Sequence, residues 1–150
     1  MATKAEIASA YRTLAAAKLT RLDDDEKFLI VKTIISLKPI AKKYEDFIQQ
    51  TKESLKADNY EEMLDKANRW NATNKGRNIN DLTDEERKEL FEINWYFAEY
   101  SNKVEKCILE EGDKDANFTP LKLSNDTATK LIASNDWTCE QAADVFTLMI

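Results

Sequence analysis

The stretch from Asp23 to Ala57, DDDEKFLIVKTIISLKPIAKKYEDFIQQTKESLKA, decides the fold because it predicts one long helix. Asp23 and Glu26 have the spacing of a capping box at its start. A helix of this length would span about 50 Å, so it needs a partner of similar length to cover its apolar side. The apolar residues recur at steps of three and four, which predicts a single buried face; they are Phe28, Val31, Ile34, Ile35, Leu37, Ala41, Tyr44, Phe47, Ile48 and Leu55.

A proline lies inside this predicted helix. Pro39 removes one backbone hydrogen bond and crowds the preceding turn, which costs about 3 kcal/mol and bends the helix axis. The apolar pattern nevertheless continues past Pro39 without a break in phase. We therefore predict a kink near residues 36–38 rather than two separate helices.

The partner of the long helix is predicted from Thr83 to Glu111, where Thr83 and Glu86 form a second capping box. Gly112 ends this helix, and the chain between the two long helices folds back, which favours antiparallel pairing. An apolar seam runs along it at alternating steps of three and four; its members are Leu90, Ile93, Phe97, Tyr100, Val104 and Cys107.

A second aromatic stripe on the same helix has two interpretations that the sequence leaves open. Phe91 and Trp95, with Tyr96 beside them, either form a patch that binds a partner or belong to the core. At helical spacing, aromatic residues are more often part of the core.

Shorter helices are predicted around the long pair, at about residues 5–18, 59–70 and 124–133 and from Thr138 onward. Capping boxes support three of them; the pairs are Thr3 with Glu6, Asp58 with Glu61, and Thr138 with Gln141. The apolar face of the last helix should dock onto the body. Residues 71–82 form a polar loop, and residues 118–123 are at most one short extended segment whose pairing is open.

These elements predict a mainly α fold, an antiparallel long-helix hairpin or bundle with short flanking helices. We expect residues 1–150 to form a single helical domain. Gly and Pro are scarce, two of each, which favours helices over sandwiches and barrels because those need many tight turns.

Composition excludes several kinds of function. The chain has 22 basic and 28 acidic residues, a net charge of −6, which argues against non-specific binding to nucleic acid or anionic membranes. No apolar run approaches the roughly 20 residues of a membrane helix. Histidine is absent, so Ser-His and Cys-His nucleophiles and most zinc sites are excluded. Cys107 and Cys139 lie in apolar helical patterns and are predicted to be buried, reduced thiols.

One segment, residues 113–124, partly matches the ligand spacing of a calcium-binding loop. Asp113, Asp115 and Asn117 have the spacing of the first three side-chain ligands of a calcium loop. Phe118 stands where that loop requires glycine, and Ser124 stands where it requires glutamate. We therefore predict no metal site, and neither a cofactor site nor catalytic residues follow from the sequence.

Two parts of the chain together resemble a family of short phage and prophage proteins of unknown function. Residues 27–46, KFLIVKTIISLKPIAKKYED, are similar to the family's long helix with its proline in the middle. Residues 120–124, PLKLS, and 137–150, WTCEQAADVFTLMI, are similar to its short extended segment and apolar C-terminal helix. The resemblance implies a phage-encoded origin and a helical fold, but no mechanism, since the family has no assigned activity.

The expected function is therefore that of a non-enzymatic, phage-encoded accessory protein acting through protein–protein contacts, in virion assembly or in binding a host protein. The alternative is an acidic inhibitor of a host nuclease or defence system that imitates DNA, which needs two exposed rows of carboxylates at phosphate-like spacing. We expect a phage structural protein or a host protein as partner, with no direct nucleic-acid or membrane binding. We expect a cytoplasmic location in the host cell, and association with the virion stays open. A homo-oligomer also stays open. The interaction surface itself is not identified by the sequence.

Overall fold

The computed structural model describes residues 2–149, which form six α-helices and no strand. The predicted mainly α fold is confirmed. Contacts divide the chain into two compact units, and unit 2 spans Gln49–Ile108. Unit 1 joins the described residues up to Ile48 with those from Leu109 onward. A single domain over residues 1–150 stays a prediction. The helices are α1 (Lys4–Ala15), α2 (Asp24–Ser54), α3 (Tyr60–Asn74), α4 (Asp84–Gly112), α5 (Asn125–Ser134) and α6 (Cys139–Met149).

The two long helices begin at the predicted caps. The Glu26 N–H donates to Asp23 Oδ1 over 2.8 Å, and the Glu86 N–H donates to Thr83 Oγ1 over 3.2 Å. Helix α2 runs through Pro39 as one helix and ends at Ser54, three residues before the predicted end. Helix α4 ends at Gly112, as predicted.

The core of unit 1 joins both ends of the chain, because α1 packs against α6. The Ser9 hydroxyl donates to Asp144 Oδ2 over 3.0 Å between these two helices. The predicted docking of the last helix is thus confirmed, although Ile150 lies outside the described residues. The largest side chains with at most 1% exposure in this core are Ile7, Leu14, Ile30, Leu37, Leu131, Val145 and Met149.

The buried face of α2 differs from the predicted one. Phe28, Val31 and Ile35 are exposed, whereas Ile30 and Leu37 are fully buried. At 3.6 residues per turn, Ile30 lies nearly opposite Phe28, and Leu37 nearly opposite Ile35. The prediction of one apolar face was wrong for the three exposed residues, because the apolar positions of α2 belong to two sides of the helix.

The extended segment at residues 118–123 forms no strand. The Leu123 N–H instead donates to the Met149 carbonyl over 2.7 Å, at the end of α6. The described residues contain an isolated antiparallel bridge between Thr3 and Asp115. The Lys4 N–H donates to the Lys114 carbonyl over 3.0 Å, so the beginning of the chain is tied to the segment that follows α4.

In unit 2, α3 and α4 form an antiparallel helical hairpin. The Tyr60 and Phe97 rings are 5.8 Å apart, and the Trp70 indole N–H donates to the Glu86 carbonyl over 3.3 Å. Residue numbers fall along α4 as they rise along α3, which defines the antiparallel direction. Helix α3 begins at Tyr60 after Asn59, which makes no side-chain cap bond, so the predicted capping box of Asp58 with Glu61 is wrong.

The predicted polar loop at residues 71–82 is shorter and more ordered than expected. Helix α3 continues to Asn74, and Ile79–Asp81 forms a 3₁₀ turn. The buried Asn74 amide donates to the Trp70 carbonyl over 3.0 Å, and its oxygen accepts from Arg77 over 2.7 Å. These bonds satisfy hydrogen-bonding groups at the C-terminal end of α3, which explains why the Asn-rich sequence stays helical as far as Asn74.

Candidate interaction surfaces

An exposed aromatic groove lies on α4 in unit 2. Phe91 and Trp95 are 67% and 60% exposed, and their rings stack with centroids 6.2 Å apart at 24°. The two residues are therefore part of the surface and not of the core. We call this concavity, with a volume of about 370 Å³, the α4 groove; it is lined by Met63, Phe91, Glu92, Trp95, Tyr96 and Glu99.

An aromatic cluster within the same α3–α4 hairpin supports the α4 groove. The Tyr96 ring meets Phe97 edge-on at 5.2 Å, and its hydroxyl donates to Asn59 Oδ1 over 3.2 Å. The Tyr100 hydroxyl donates to the Lys52 carbonyl, and burial raises the pKa of this phenol. Because Tyr96 is held at its ring and at its hydroxyl, this wall of the groove is pre-formed.

The charge around the α4 groove is negative. Glu92 and Glu99 lie in its lining. Helix α4 carries nine acidic and four basic residues, a net charge of −5 out of −6 for the whole chain. Lys66 approaches Glu92 with 3.6 Å between nitrogen and oxygen; the two side chains are 37% and 53% exposed. The groove therefore combines apolar walls with an acidic edge.

A second exposed apolar surface lies on α2 in unit 1. Phe28, Val31 and Ile35, the α2 stripe, are 64%, 42% and 64% exposed. Their spacing of i, i+3 and i+7 places them on one side of the helix. The Lys32 ammonium lies 5.4 Å from the centre of the Phe28 ring.

The α2 stripe lies in a basic part of the chain. Between Glu26 and Glu45 there is no acidic residue, and this interval contains Lys27, Lys32, Lys38, Lys42 and Lys43. Sequence reasoning assigned the stripe to the core, although a helix with apolar residues on opposite sides was already a signal of a second surface. The interleaved lysines were a further signal, because a buried face rarely accommodates them.

A larger, polar cleft of about 690 Å³ lies in unit 1, and several of its lining residues form hydrogen bonds within the protein. Asn135 lies in its lining, where its side-chain oxygen accepts from the Lys18 N–H over 2.8 Å and its amide donates to the Lys18 carbonyl over 2.9 Å. The Ser134 hydroxyl also accepts from the Arg21 N–H over 3.1 Å. These bonds fix the turn that follows α1, which ends at Ala15 instead of the predicted Lys18.

The lowered pKa values of two carboxyl groups, Glu86 and Glu111, have structural causes. The pKa of Glu86 is lowered by the Thr83 N–H and by the Arg77 guanidinium. The pKa of Glu111 is lowered by the ammonium groups of Lys114 and Lys4. The first shift comes from a helix cap together with an ion pair, and the second comes from ion pairs.

The candidate metal and thiol residues are not gathered into a site. Asp115 and Asn117 form a local turn, in which the Asn117 N–H donates to Asp115 Oδ1 over 2.9 Å. Among residues 2–149 no three Cys, Asp or Glu side chains are grouped as metal ligands. Both cysteines are free thiols, but Cys139 is exposed and Cys107 is half-buried, so the prediction of buried thiols was wrong for Cys139. Cys139 is the first residue of α6, where one side of the helix still faces solvent.

Comparisons with known proteins identify no family for this chain. No protein-family model matches the chain, and no curated protein or solved structure matches it. The resemblance to phage and prophage proteins stays a prediction. Over the described part of the chain, no helix has both the length and the apolar character needed to cross a membrane.

Proposed function

We propose that this protein is a non-enzymatic, phage-encoded accessory protein that acts through protein–protein contacts. The observation that carries the proposal is the α4 groove, in which Phe91 and Trp95 stack on the surface while more than half of each side chain is exposed. Monomeric proteins usually expose large apolar residues singly, and grouped aromatic residues mark binding surfaces. Trp and Tyr are also enriched among the residues that dominate binding energy.

The lining of the groove defines the chemistry of the partner. Apolar side chains would pack against the Phe91 and Trp95 rings, and basic side chains would face Glu92 and Glu99. A basic amphipathic helix supplies both, in the helix-in-groove mode of recognition. Such a helix in a phage structural protein or in a host protein would fit either proposed role, virion assembly or host-protein binding.

The basic α2 surface favours this function over imitation of DNA. An acidic mimic needs continuous rows of carboxylates, whereas residues 27–44 contain five lysines and no acidic residue. The acidic residues of α4 accompany an aromatic groove, which suits a protein partner better than a surface that copies a phosphate backbone.

Affinity capture tests the proposal with matched variants. The wild-type protein, a groove variant with Phe91→Ala and Trp95→Ala, and a control variant with Ile79→Ala and Ile132→Ala are used as baits in lysates of infected and uninfected cells. The control residues are exposed apolar side chains outside the groove. We expect a partner that binds the wild type and the control, is lost with the groove variant, and forms a binary complex when purified. If every captured protein binds the groove variant equally well, the proposal is wrong.

A further inference from the structure

We propose that a second copy of this chain occupies the α4 groove through its α2 stripe. The inference rests on the proposed function, because both use the groove as a docking surface. It goes further by naming the helix that docks. The chain itself carries a basic amphipathic helix with an uncovered apolar side, which is the chemistry that the groove selects.

The two surfaces match in apolar pattern and in length. Phe28, Val31 and Ile35 have the i, i+3, i+7 spacing of a helix that binds a groove. At the usual rise per residue, the stripe from Phe28 to Ile35 is roughly 10 Å long, and the groove from Phe91 to Glu99 is roughly 12 Å long. Phe28 and Ile35 are each 64% exposed, so their apolar surface is available for burial in such a contact.

The two surfaces also have opposite charge. Residues 27–44 carry five lysines without an acidic residue, whereas residues 84–108, the part of α4 in unit 2, carry seven acidic and four basic residues, a net charge of −3. Contact between the stripe of one copy and the groove of another places lysines beside Glu92 and Glu99. Stripe against stripe and groove against groove would instead bring like charges together, which is unfavourable. The charges therefore favour contact between a stripe and a groove over contact between two like surfaces.

A second copy accounts for more of the surface than a membrane does. A basic apolar helix face also suits an anionic lipid surface. Lipid would cover the α2 stripe but would leave Phe91 and Trp95 in water. Contact between a stripe and a groove covers both surfaces, and it leaves one free stripe and one free groove only where the assembly stays open. Such assemblies grow with concentration unless they close into a ring.

Complementation between two variants tests this arrangement. A stripe variant carries Phe28→Asp and Ile35→Asp, and a groove variant carries Phe91→Ala and Trp95→Ala. All four side chains are more than half exposed, so both variants should keep the circular dichroism spectrum of the wild type. In sedimentation velocity at about 0.05 M salt, we expect the wild type to associate. The association constant of each variant alone should be lower by about tenfold or more.

The decisive sample is the equimolar mixture of the two variants. The groove variant still has an intact stripe, and the stripe variant still has an intact groove, so together they should form a complex of one copy each that does not grow further. Charge reversal gives a second test with little loss of apolar surface. Lys32→Glu with Lys38→Glu in one chain, and Glu92→Lys with Glu99→Lys in the other, should each weaken association alone and restore it when mixed. Raising the salt to about 0.5 M should weaken wild-type association, because the charges are exposed.

Several results would overturn the inference. A wild-type protein that stays monomeric at high concentration and low salt would do so, as would a stripe variant that associates like the wild type or a mixture that stays monomeric. Binding of phosphatidylglycerol vesicles by the monomer, lost with the stripe variant, would assign the stripe to lipid instead. A monomeric wild type that still captures a partner through the groove would refute self-association while leaving the proposed function intact.

Discussion

Ile30 and Phe28 lie two positions apart in α2 and should respond differently to truncation. Ile30 is fully buried in the core of unit 1, so Ile30→Ala removes buried methyl groups and leaves a cavity. The expected loss in the free energy of unfolding is about 2–5 kcal/mol. Phe28 is 64% exposed and keeps only about a third of its surface in contact with the protein. Burial of a whole phenylalanine side chain contributes about 1.5–3 kcal/mol, so Phe28→Ala should cost about 1 kcal/mol or less.

Chemical denaturation measures the difference directly. Urea unfolding of both variants, followed by far-ultraviolet circular dichroism at low protein concentration, keeps self-association out of the comparison. The midpoint should fall strongly for Ile30→Ala and stay near that of the wild type for Phe28→Ala. The contact between Lys32 and the Phe28 ring adds little, because an exposed cation–π pair contributes about 0.5–1 kcal/mol. Equal losses in the two variants would refute the reasoning, since they would mean that the α2 stripe is covered within the monomer.

Three further predictions follow from the packing and the ion pairs. Gly112→Ala should destabilise the protein by about 1–3 kcal/mol despite the better helix propensity of alanine, because the new Cβ would lie 2.6 Å from the Tyr44 hydroxyl. In urea unfolding, the same substitution should cost less when it is made in a Tyr44→Phe background, and an equal cost in both backgrounds would contradict the clash. Deletion of residues 138–150 should lower the melting temperature and increase the fluorescence of a hydrophobic dye, because it removes the helix that covers α1; an unchanged melting curve would show that this helix adds no stability. The Thr83 N–H of its helix cap and the Arg77 guanidinium lower the pKa of Glu86 below its ordinary value of 4.5. Glu86→Gln should therefore destabilise the protein at about pH 7, and its deficit should shrink as the pH falls below about 4.5 and through the lowered native pKa. A deficit in urea unfolding that does not change with pH would argue against a lowered pKa of Glu86.

The helix starts were predictable because their determinants are local. Asp23 with Glu26 and Thr83 with Glu86 each form their bonds within four consecutive residues, so the sequence contains the whole interaction. Asp58 with Glu61 has the same spacing but forms no cap, since α3 begins at Tyr60 and not at Asn59. Capping patterns therefore locate a helix start only when the chain reaches the cap in an extended conformation.

The exposed surfaces were not predictable in the same way. Periodicity shows that Phe28 and Ile30 belong to a helix, but it does not show which side other helices cover. That choice depends on distant segments such as α6, which reaches α1 from the other end of the chain. The same limit applies to Phe91 and Trp95, whose helical spacing is more typical of a core but also suits a surface groove. The ordered end of α3 was missed for a different reason, because the composition of residues 71–82 does not show that Asn74 binds Trp70 and Arg77.

The way in which unit 1 is assembled has a consequence for synthesis of the protein. Its first and last helices meet at Ser9 and Asp144, which are separated by 135 positions, whereas the residues of unit 2 are contiguous. On the ribosome, the hairpin of α3 and α4 can form as soon as residue 108 has emerged, but α1 has no α6 to pack against until residues 139–149 have emerged as well. The apolar side chains of Ile7 and Leu14 therefore lack this helix while the residues between α1 and α6 are synthesised, and emergence of α6 is the step that lets this unit close.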